Sequence, residues 1–299
     1  MATTFELLRT AHQTASYMTL PPAAVKELYD LSYKFIISST SRTLNPTDMY
    51  TVFELHFYLA LISGNERDAS YILKRMTDRF GAGAPRVVVL RALYLEVTET
   101  PAAASEHLDK RGTEADLLVR KRKIAILKSS PSAQSTELVA QLLTLVDTFA
   151  ADAESWAELA RLYTDAGLFA QALFALHEVL LIFPLAYNVN ALIGETCVQY
   201  AATLGTAGAA EEKLIEATKF FLRAVELCDD YVRGWAGVLI ASLRITQLAT
   251  GGSSVAAKKK DALYKDLAKL ARSQLQKIVD TNDAHPEDLA AAALVLKSY

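Results

Sequence analysis

Apolar residues recur along most of this chain at intervals of three and four, the spacing that lines one side of an α-helix. The clearest stretch runs from Ala153 to Pro184. Trp156, Leu159, Ala160 and Tyr163 define one apolar stripe, Ala172, Leu176 and Val179 a second, and Gly167 lies between them. This predicts two antiparallel helices joined by a tight turn. Nearer the start, a short helix is predicted over Thr4 to Ser16. Pro21-Pro22 then opens a second, with Val25, Leu28, Leu31, Phe35 and Ile36 on one side. The stretch Ser38 to Asn45 is predicted to be a loop, and Asn45-Pro46 suits the start of the next helix. Towards the end, a long helix from Lys258 to Val279 would turn Ala268, Ala271, Leu275 and Ile278 inward. Glu287 to Ser298 would form a last helix, whose Leu289, Ala293, Leu294 and Leu296 leave little polar surface to cap that end.

The two-helix unit repeats. Counting Ala153 as position 1 puts Trp156 at 4, Leu159 at 7, Ala160 at 8, Tyr163 at 11, Gly167 at 15, Ala172 at 20, Leu176 at 24 and Pro184 at 32, the tetratricopeptide pattern. Large residues at 4, 7 and 11 fill the gap between the paired helices, and small ones at 8 and 20 let them approach. Ala160 and Val179 replace the usual Gly and Ala, and both are small enough. From Tyr50 the same register gives Phe53, His56, Ala60, Gly64, Ala69, Leu73 and Met76. From Ala84 it gives Val87, Leu90 and Tyr94. Residues 119–152 supply Leu138, Leu142 and Leu145. After Pro184 come Ile193, Gly194 and Cys197, but Ala217, Phe221 and Ala224 fit only with about 11 extra residues between the helices. Gly205-Thr-Ala-Gly208 is read as that flexible connection. Trp235 lies 79 residues after Trp156, two periods plus the insertion, which supports the register. The fold expected is all-α, a tetratricopeptide-repeat α-solenoid curved into a superhelix with a concave peptide-binding groove. It would be one domain over 1–299, made of N-terminal helices (1–48), N-terminal repeats (50–118), central repeats (119–229) and a C-terminal repeat with its capping helix (232–299).

The 52% apolar content suits a large buried core, and a net charge of -3 gives no global case for nucleic acid or an acidic membrane. Cys197 and Cys228 are too few for a disulfide framework and lack ligand spacing, so both are expected to be free thiols in a reducing compartment. The N-terminal residues do not resemble a signal peptide. The longest uncharged run, Val179 to Gly194, is broken by Pro184, so no membrane crossing is expected.

Candidate chemistry is sparse. His12, His56, His107, His177 and His285 are dispersed, and His56 at position 7 is expected to be a partly buried packing residue. The pairs Glu211-Glu212 and Asp229-Asp230 sit at helix ends, where caps and dipoles account for them. No catalytic, cofactor or metal residues are expected. The clamp that grips a chaperone's C-terminal carboxylate needs Asn at position 9 after Lys at 5. Here Leu127 follows Lys123 and the next repeat offers Glu158, so that clamp is absent. The groove lining expected from the register is Tyr58, Leu61, Leu95, Arg120, Lys123, Ala157, Arg161, Asp165, Asn188, Ala191 and Glu195, a surface suited to a peptide with apolar anchors and a few charges. The string Arg120-Lys-Arg-Lys123 reads either as a solvated basic turn or, through Arg120 and Lys123, as a partner contact.

Four strings stand out, the first of which packing does not demand: Arg120-Lys-Arg-Lys-Ile-Ala-Ile126, Glu154-Ser-Trp-Ala-Glu-Leu-Ala-Arg-Leu-Tyr163, the helix from Phe169 to Glu178, and Lys219-Phe-Phe through Leu227. Together with the two insertions they resemble the second subunits of the endoplasmic-reticulum membrane protein complex, most specifically between Arg120 and Leu243. The resemblance implies a non-catalytic, peripheral scaffold on the cytosolic side of an insertase for tail-anchored and multipass proteins. It also implies a groove holding the cytosolic tail of subunit 5, contacts with cytosolic parts of subunit 3, and docking of a subunit of the 8/9 type where one exists. Without the resemblance, the residues equally suit a soluble tetratricopeptide adaptor or co-chaperone with transient peptide ligands.

Overall fold

The computed structural model describes residues 3–38, 44–113, 115–130, 134–248, 255–281 and 284–299. Among these there is no strand, and two compact units divide at Ala133 and Gln134. The first contains α1 (Thr4–Thr14), a 3-10 turn (Ser16–Met18), α2 (Pro22–Ile37), α3 (Pro46–Ile62), α4 (Glu66–Phe80), α5 (Pro85–Thr98), α6 (Pro101–Arg111) and α7 (Leu117–Ser129). The second contains α8 (Ser135–Thr148), α9 (Ala153–Asp165), α10 (Phe169–Ile182), α11 (Tyr187–Thr203), α12 (Ala207–Leu227), α13 (Val232–Leu248), α14 (Val255–Thr281) and α15 (Pro286–Ser298). Local chemistry starts these helices. Thr3 and Glu6 form a reciprocal capping box on α1, Asn45 caps α3 ahead of Pro46, Thr100 caps α6 ahead of Pro101, and Asp152 caps α9.

Within each unit consecutive helices pack as antiparallel pairs, an all-α tetratricopeptide solenoid. In the first, Phe53, Phe57, Ala60, Ala69, Leu73 and Met76 make one core, and Leu8, Val25, Leu28, Phe35, Val52, Leu55 and Leu59 a neighbouring one. In the second, Leu159, Ala160, Ala172, Leu176 and Val179 are all buried. Each of the larger side chains, Phe, Leu, Met and Val, contributes about 1.5–3 kcal/mol. The two tryptophans at position 4 make the same bond: Trp156 donates its indole N–H to the Ala150 carbonyl at 2.9 Å, and Trp235 to that of Asp229 at 2.6 Å. The turns at position 15 match too. Gly64 (φ 71°) and Gly167 (φ 73°) adopt the left-handed conformation that glycine favours. Asn65 N–H reaches Ala60 and Leu168 N–H reaches Tyr163, both at 2.8 Å, closing two Schellman motifs.

The structure corrects the reading of Gly205–Gly208 as a flexible connection. Only residues 204–206 separate α11 from α12, Thr206 accepts a hydrogen bond from Ala209 N–H at 3.4 Å, and Gly208 lies inside α12. The extra residues are absorbed as helix: α11 has 17 residues against 13 in α9, and α12 has 21 against 14 in α10. An Ala-rich insertion with a capping threonine is good helix material, and backbone hydrogen bonds are cheaper to satisfy there than in a long loop. The Thr250–Ser254 loop, and most of the loop placed at Ser38–Asn45, lie outside the described residues. The α14 residues Ala268, Ala271, Leu275 and Ile278 face inward as the periodicity indicates, and α15 leaves Leu294 exposed.

Phe221 of α12, 1% exposed, is clasped by two glycines. A Cβ at Gly194 of α11 would stand 2.8 Å from its ring, and one at Gly237 of α13 would stand 2.3 Å away. Gly237→Ala gains up to about 1 kcal/mol in helix propensity but forces a packed ring to move, an overpacking cost of about 1–3 kcal/mol. Chemical denaturation is expected to show a net loss of stability for Gly237→Ala. Gly208→Ala, whose Cβ meets nothing within 4 Å, is expected to be neutral or slightly stabilising.

Candidate functional site

The first helices of successive pairs carry the residues that could meet a partner, and each unit uses its charges differently. In the first unit, polar side chains bridge one first helix to the next. Glu54, at position 5 of α3, is 5% exposed. Its Oε1 accepts from Tyr58 Oη at 2.8 Å and from Arg86 Nε of α5 at 2.9 Å. Its Oε2 is 2.6 Å from Arg86 Nη2 and 3.5 Å from His12 Nε2 of α1. Burial alone would raise the carboxyl pKa, but hydrogen bonds from His12, Arg86 and Tyr58 outweigh that and hold it below the usual range. Burial and the adjacent carboxylate push the Tyr58 phenol well up. A second bridge pairs Glu96 of α5 with Arg122 of α7.

These bridges place the expected lining. Tyr58 is half-buried, stacked on His12 and Tyr17 with centroids 6.4 and 6.1 Å away. Leu61 is half-buried against the α3–α4 core. Leu95 is a correction: 8% exposed, it belongs to the core shared by α5, α6 and α7 and faces no groove. The basic string is not a solvated turn either. Arg120 is 9% exposed, Arg122 is turned towards Glu96, and Lys123 Nζ is 2.8 Å from Asp109 Oδ1 of α6. Its cations stand against the acids of α5 and α6, because an unpaired charge buried there would be costly.

In the second unit Ala157, Arg161, Asp165 and Asn188 are exposed on α9 and α11. Arg161 lies 3.8 Å from Asp165 and 4.0 Å from Glu158, contacts that solvent leaves weak. Glu195 is held by both Nε and Nη2 of Arg233 on α13. Ala191 is a second correction: with 0% exposure, it is sealed inside the helix packing and no partner reaches it. The register missed His12, Glu54, Arg86, Glu96 and Arg233. A signal existed for Glu54, a lone acid in the apolar run Val52 to Leu61 at a position the register assigns to the groove.

The fold brings together one grouping that the sequence kept apart. Ser32 Oγ lies 2.7 Å from His56 Nδ1, and His56 Nε2 lies 3.9 Å from Asp68 Oδ2. Ser32 donates its hydroxyl to the Tyr29 carbonyl at 2.8 Å, so neutral His56 matches it with the proton on Nδ1. Ser32 is 0% exposed, His56 is 2% exposed and stacks on Tyr29, and Tyr29 Oη donates to Asp68 at 2.5 Å. The serine keeps its proton and no substrate can reach it, so the group is a packing network. His56 is therefore more deeply buried than its position 7 suggested. Cys197 is buried, its thiol pushed up to about 12, and Cys228 is half-buried. Among the described residues no cluster of His, Cys, Asp or Glu could hold a metal ion, and no helix is long and apolar enough to cross a membrane.

Large apolar side chains are nevertheless exposed on the second unit. Phe174 and Leu181 of α10 are 60% and 76% exposed, and Phe183 and Leu185 in the turn to α11 are 56% and 69% exposed. Scattered leucines need no explanation, but four within twelve residues form a patch of the kind that partners cover.

Paired helices, Schellman turns and repeated tryptophan bonds define a tetratricopeptide-repeat protein. Residues 89–204 match the family described as the EMC2 TPR-like repeat domain. The ER membrane protein complex subunit 2 of Saccharomyces cerevisiae is 27% identical over 300 residues, covering 97% of both chains. The TPR repeat protein oca3 of Schizosaccharomyces pombe is 29% identical over 204 residues, 68% of this chain and 69% of that one. Subunit 2-A of Xenopus laevis is 29% identical over 232 residues, 77% of this chain and 73% of that one. Over nearly its whole length the chain is similar to ER membrane protein complex subunit 2, and residues 89–204 carry the match to that family's repeat domain.

Burial lowers the His56 pKa from its ordinary 6.5, and Asp68 only partly opposes this. Below that value the unfolded chain takes up a proton that the folded chain resists, so folding stability contributed by the neutral histidine is present above pH 6.5 and is lost as pH falls from there. Urea midpoints are expected to drop between pH 7.5 and 5.5, and to drop less in His56→Gln. Equal slopes for the two chains would contradict the assignment.

Proposed function

We propose that this chain is a non-catalytic scaffold subunit of an ER membrane protein complex, held peripherally on the cytosolic face of the membrane by its partner subunits. The observation that carries the reading is the exposed apolar patch of Phe174, Leu181, Phe183 and Leu185, which lies inside the family-matched segment. A protein that functions alone gains nothing from such surface, whereas a permanent subunit buries it. Ala157, Arg161, Asp165 and Asn188 on α9 and α11 are the accessible positions for a captured segment, and Glu195 joins them if Arg233 releases it. Arg120 and Lys123 act as positioning residues for α7 more than as direct contacts, because Arg120 is buried and Lys123 is paired with Asp109.

The partners proposed are the cytosolic tail of subunit 5 in the groove, cytosolic parts of subunit 3, and a subunit of the 8/9 type where one exists. In this role the chain assembles an insertase for tail-anchored and multipass proteins without itself making or breaking bonds. Tagged protein extracted in mild detergent is expected to bring down polytopic membrane subunits, and recovery of the chain alone would defeat the proposal. Leu181→Glu with Leu185→Glu is expected to lower that recovery at least tenfold, since losing about 1.4 kcal/mol of apolar contact already suffices for that factor, while leaving the helical circular dichroism unchanged. Undiminished recovery would remove the patch from the interface.

A further inference from the structure

A cleft of about 400 Å3 opens in the first unit, where the starts of α3 and α5 meet the end of α4. Its walls are amphipathic. Tyr50 and Phe80 meet edge to face with centroids 4.7 Å apart, buried Met76 joins them, and Pro46, Pro85 and Val87 extend the apolar lining. Two guanidinium groups, Arg79 and Arg86, enter the same cleft, and Glu54 is its one carboxylate.

The charges do not cancel. Both oxygens of Glu54 are taken, by Tyr58 and by Arg86 through Nε and Nη2. Arg79 has no acidic partner among the described residues, and Phe80 beside it is 49% exposed. The start of α5 adds to the excess: Ala84 offers no capping side chain and Pro85 occupies the first position, so the amides of Arg86 and Val87 face the cleft lining without a side-chain acceptor. Asn45, by contrast, caps α3 across the cleft. A net positive, recessed site between aromatic walls selects a ligand with an anionic group next to an apolar one.

We infer that this cleft docks an acidic side chain of a partner polypeptide, flanked by an aromatic or aliphatic residue that packs against the paired rings of Tyr50 and Phe80. A bare carboxylate would satisfy Arg79 but leave the apolar walls wet, whereas adjacent acidic and apolar side chains fill both. All the residues involved precede Val89, outside the family-matched segment, so this site stands independently of the scaffold role proposed above.

The test is fluorescence anisotropy of the full-length chain with a fluorescein-labelled peptide of sequence GSEFDLSG. Saturable binding is expected, weakening between low salt and about 0.3 M salt as the charge contact is screened. Arg79→Glu and the milder Arg79→Gln are each expected to weaken it about tenfold or more, with unchanged thermal melts because Arg79 is exposed. Phe80→Ser is expected to weaken it similarly, and Arg223→Glu on α12, far along the chain, is expected to leave it intact. A peptide with Lys in place of both acids is expected not to bind. No saturable binding, equal binding by the Lys peptide, or full affinity in both Arg79 variants would overturn the inference. Complete competition by free succinate at the peptide's own concentration would also overturn it, by showing that the walls read no polypeptide.

Discussion

Backbone approach distance is the constraint on which the second unit rests. Phe221 can lie at the junction of α11, α12 and α13 because Gly194 and Gly237 present only hydrogen to its ring. Interiors packed to crystal density transmit a misfit instead of absorbing it. Where the ring sits fixes how closely three helices stand, and through them how α13 meets α14. The same logic, with Ala in place of Gly, operates at Ala160 and Ala172 between α9 and α10. Large residues fill the gap, small ones set its width, and the turn glycines let the chain return at a fixed angle.

A stack built this way leaves helix faces without a packing obligation, and the two units spend them differently. In the first, Glu54 and Glu96 accept cations from neighbouring helices, so the charges knit α1, α3, α5 and α7 together. The desolvated Glu54 carboxylate is tolerable there because it finds donors in Tyr58, Arg86 and His12. In the second, α9 keeps its charges in solvent, and the exposed apolar residues gather on α10 and the turn beyond it. Energetically the first pattern supports a fold and the second offers a surface.

Ser32 and His56 are buried beside the half-buried Asp68, and the serine proton points to a backbone carbonyl. Perturbed titration appears where packing is dense, at Tyr58, His56 and Cys197, and burial heads the list of causes each time.

The sequence by itself determined the periodicity, and with it much of the fold: helix pairs, the two position-15 glycines, the tryptophans 79 residues apart, and the inward faces of α2 and α14. Those features are local or strictly periodic, so they survive being read in one dimension. It also held the strings that mark the family. Only the tertiary structure decided that an eleven-residue excess becomes two longer helices, because that choice depends on neighbours able to cover the added turns. Only the tertiary structure decided that Leu95 and Ala191 are core, and that Arg122, Lys123 and Glu195 are already engaged. A repeat register says which side of a helix a residue is on, but whether that side is open depends on partners 14 to 38 residues away in the chain, such as Asp109 for Lys123, Glu96 for Arg122 and Arg233 for Glu195. Contacts at that separation are fixed by how the helices stack, which a one-dimensional pattern does not contain.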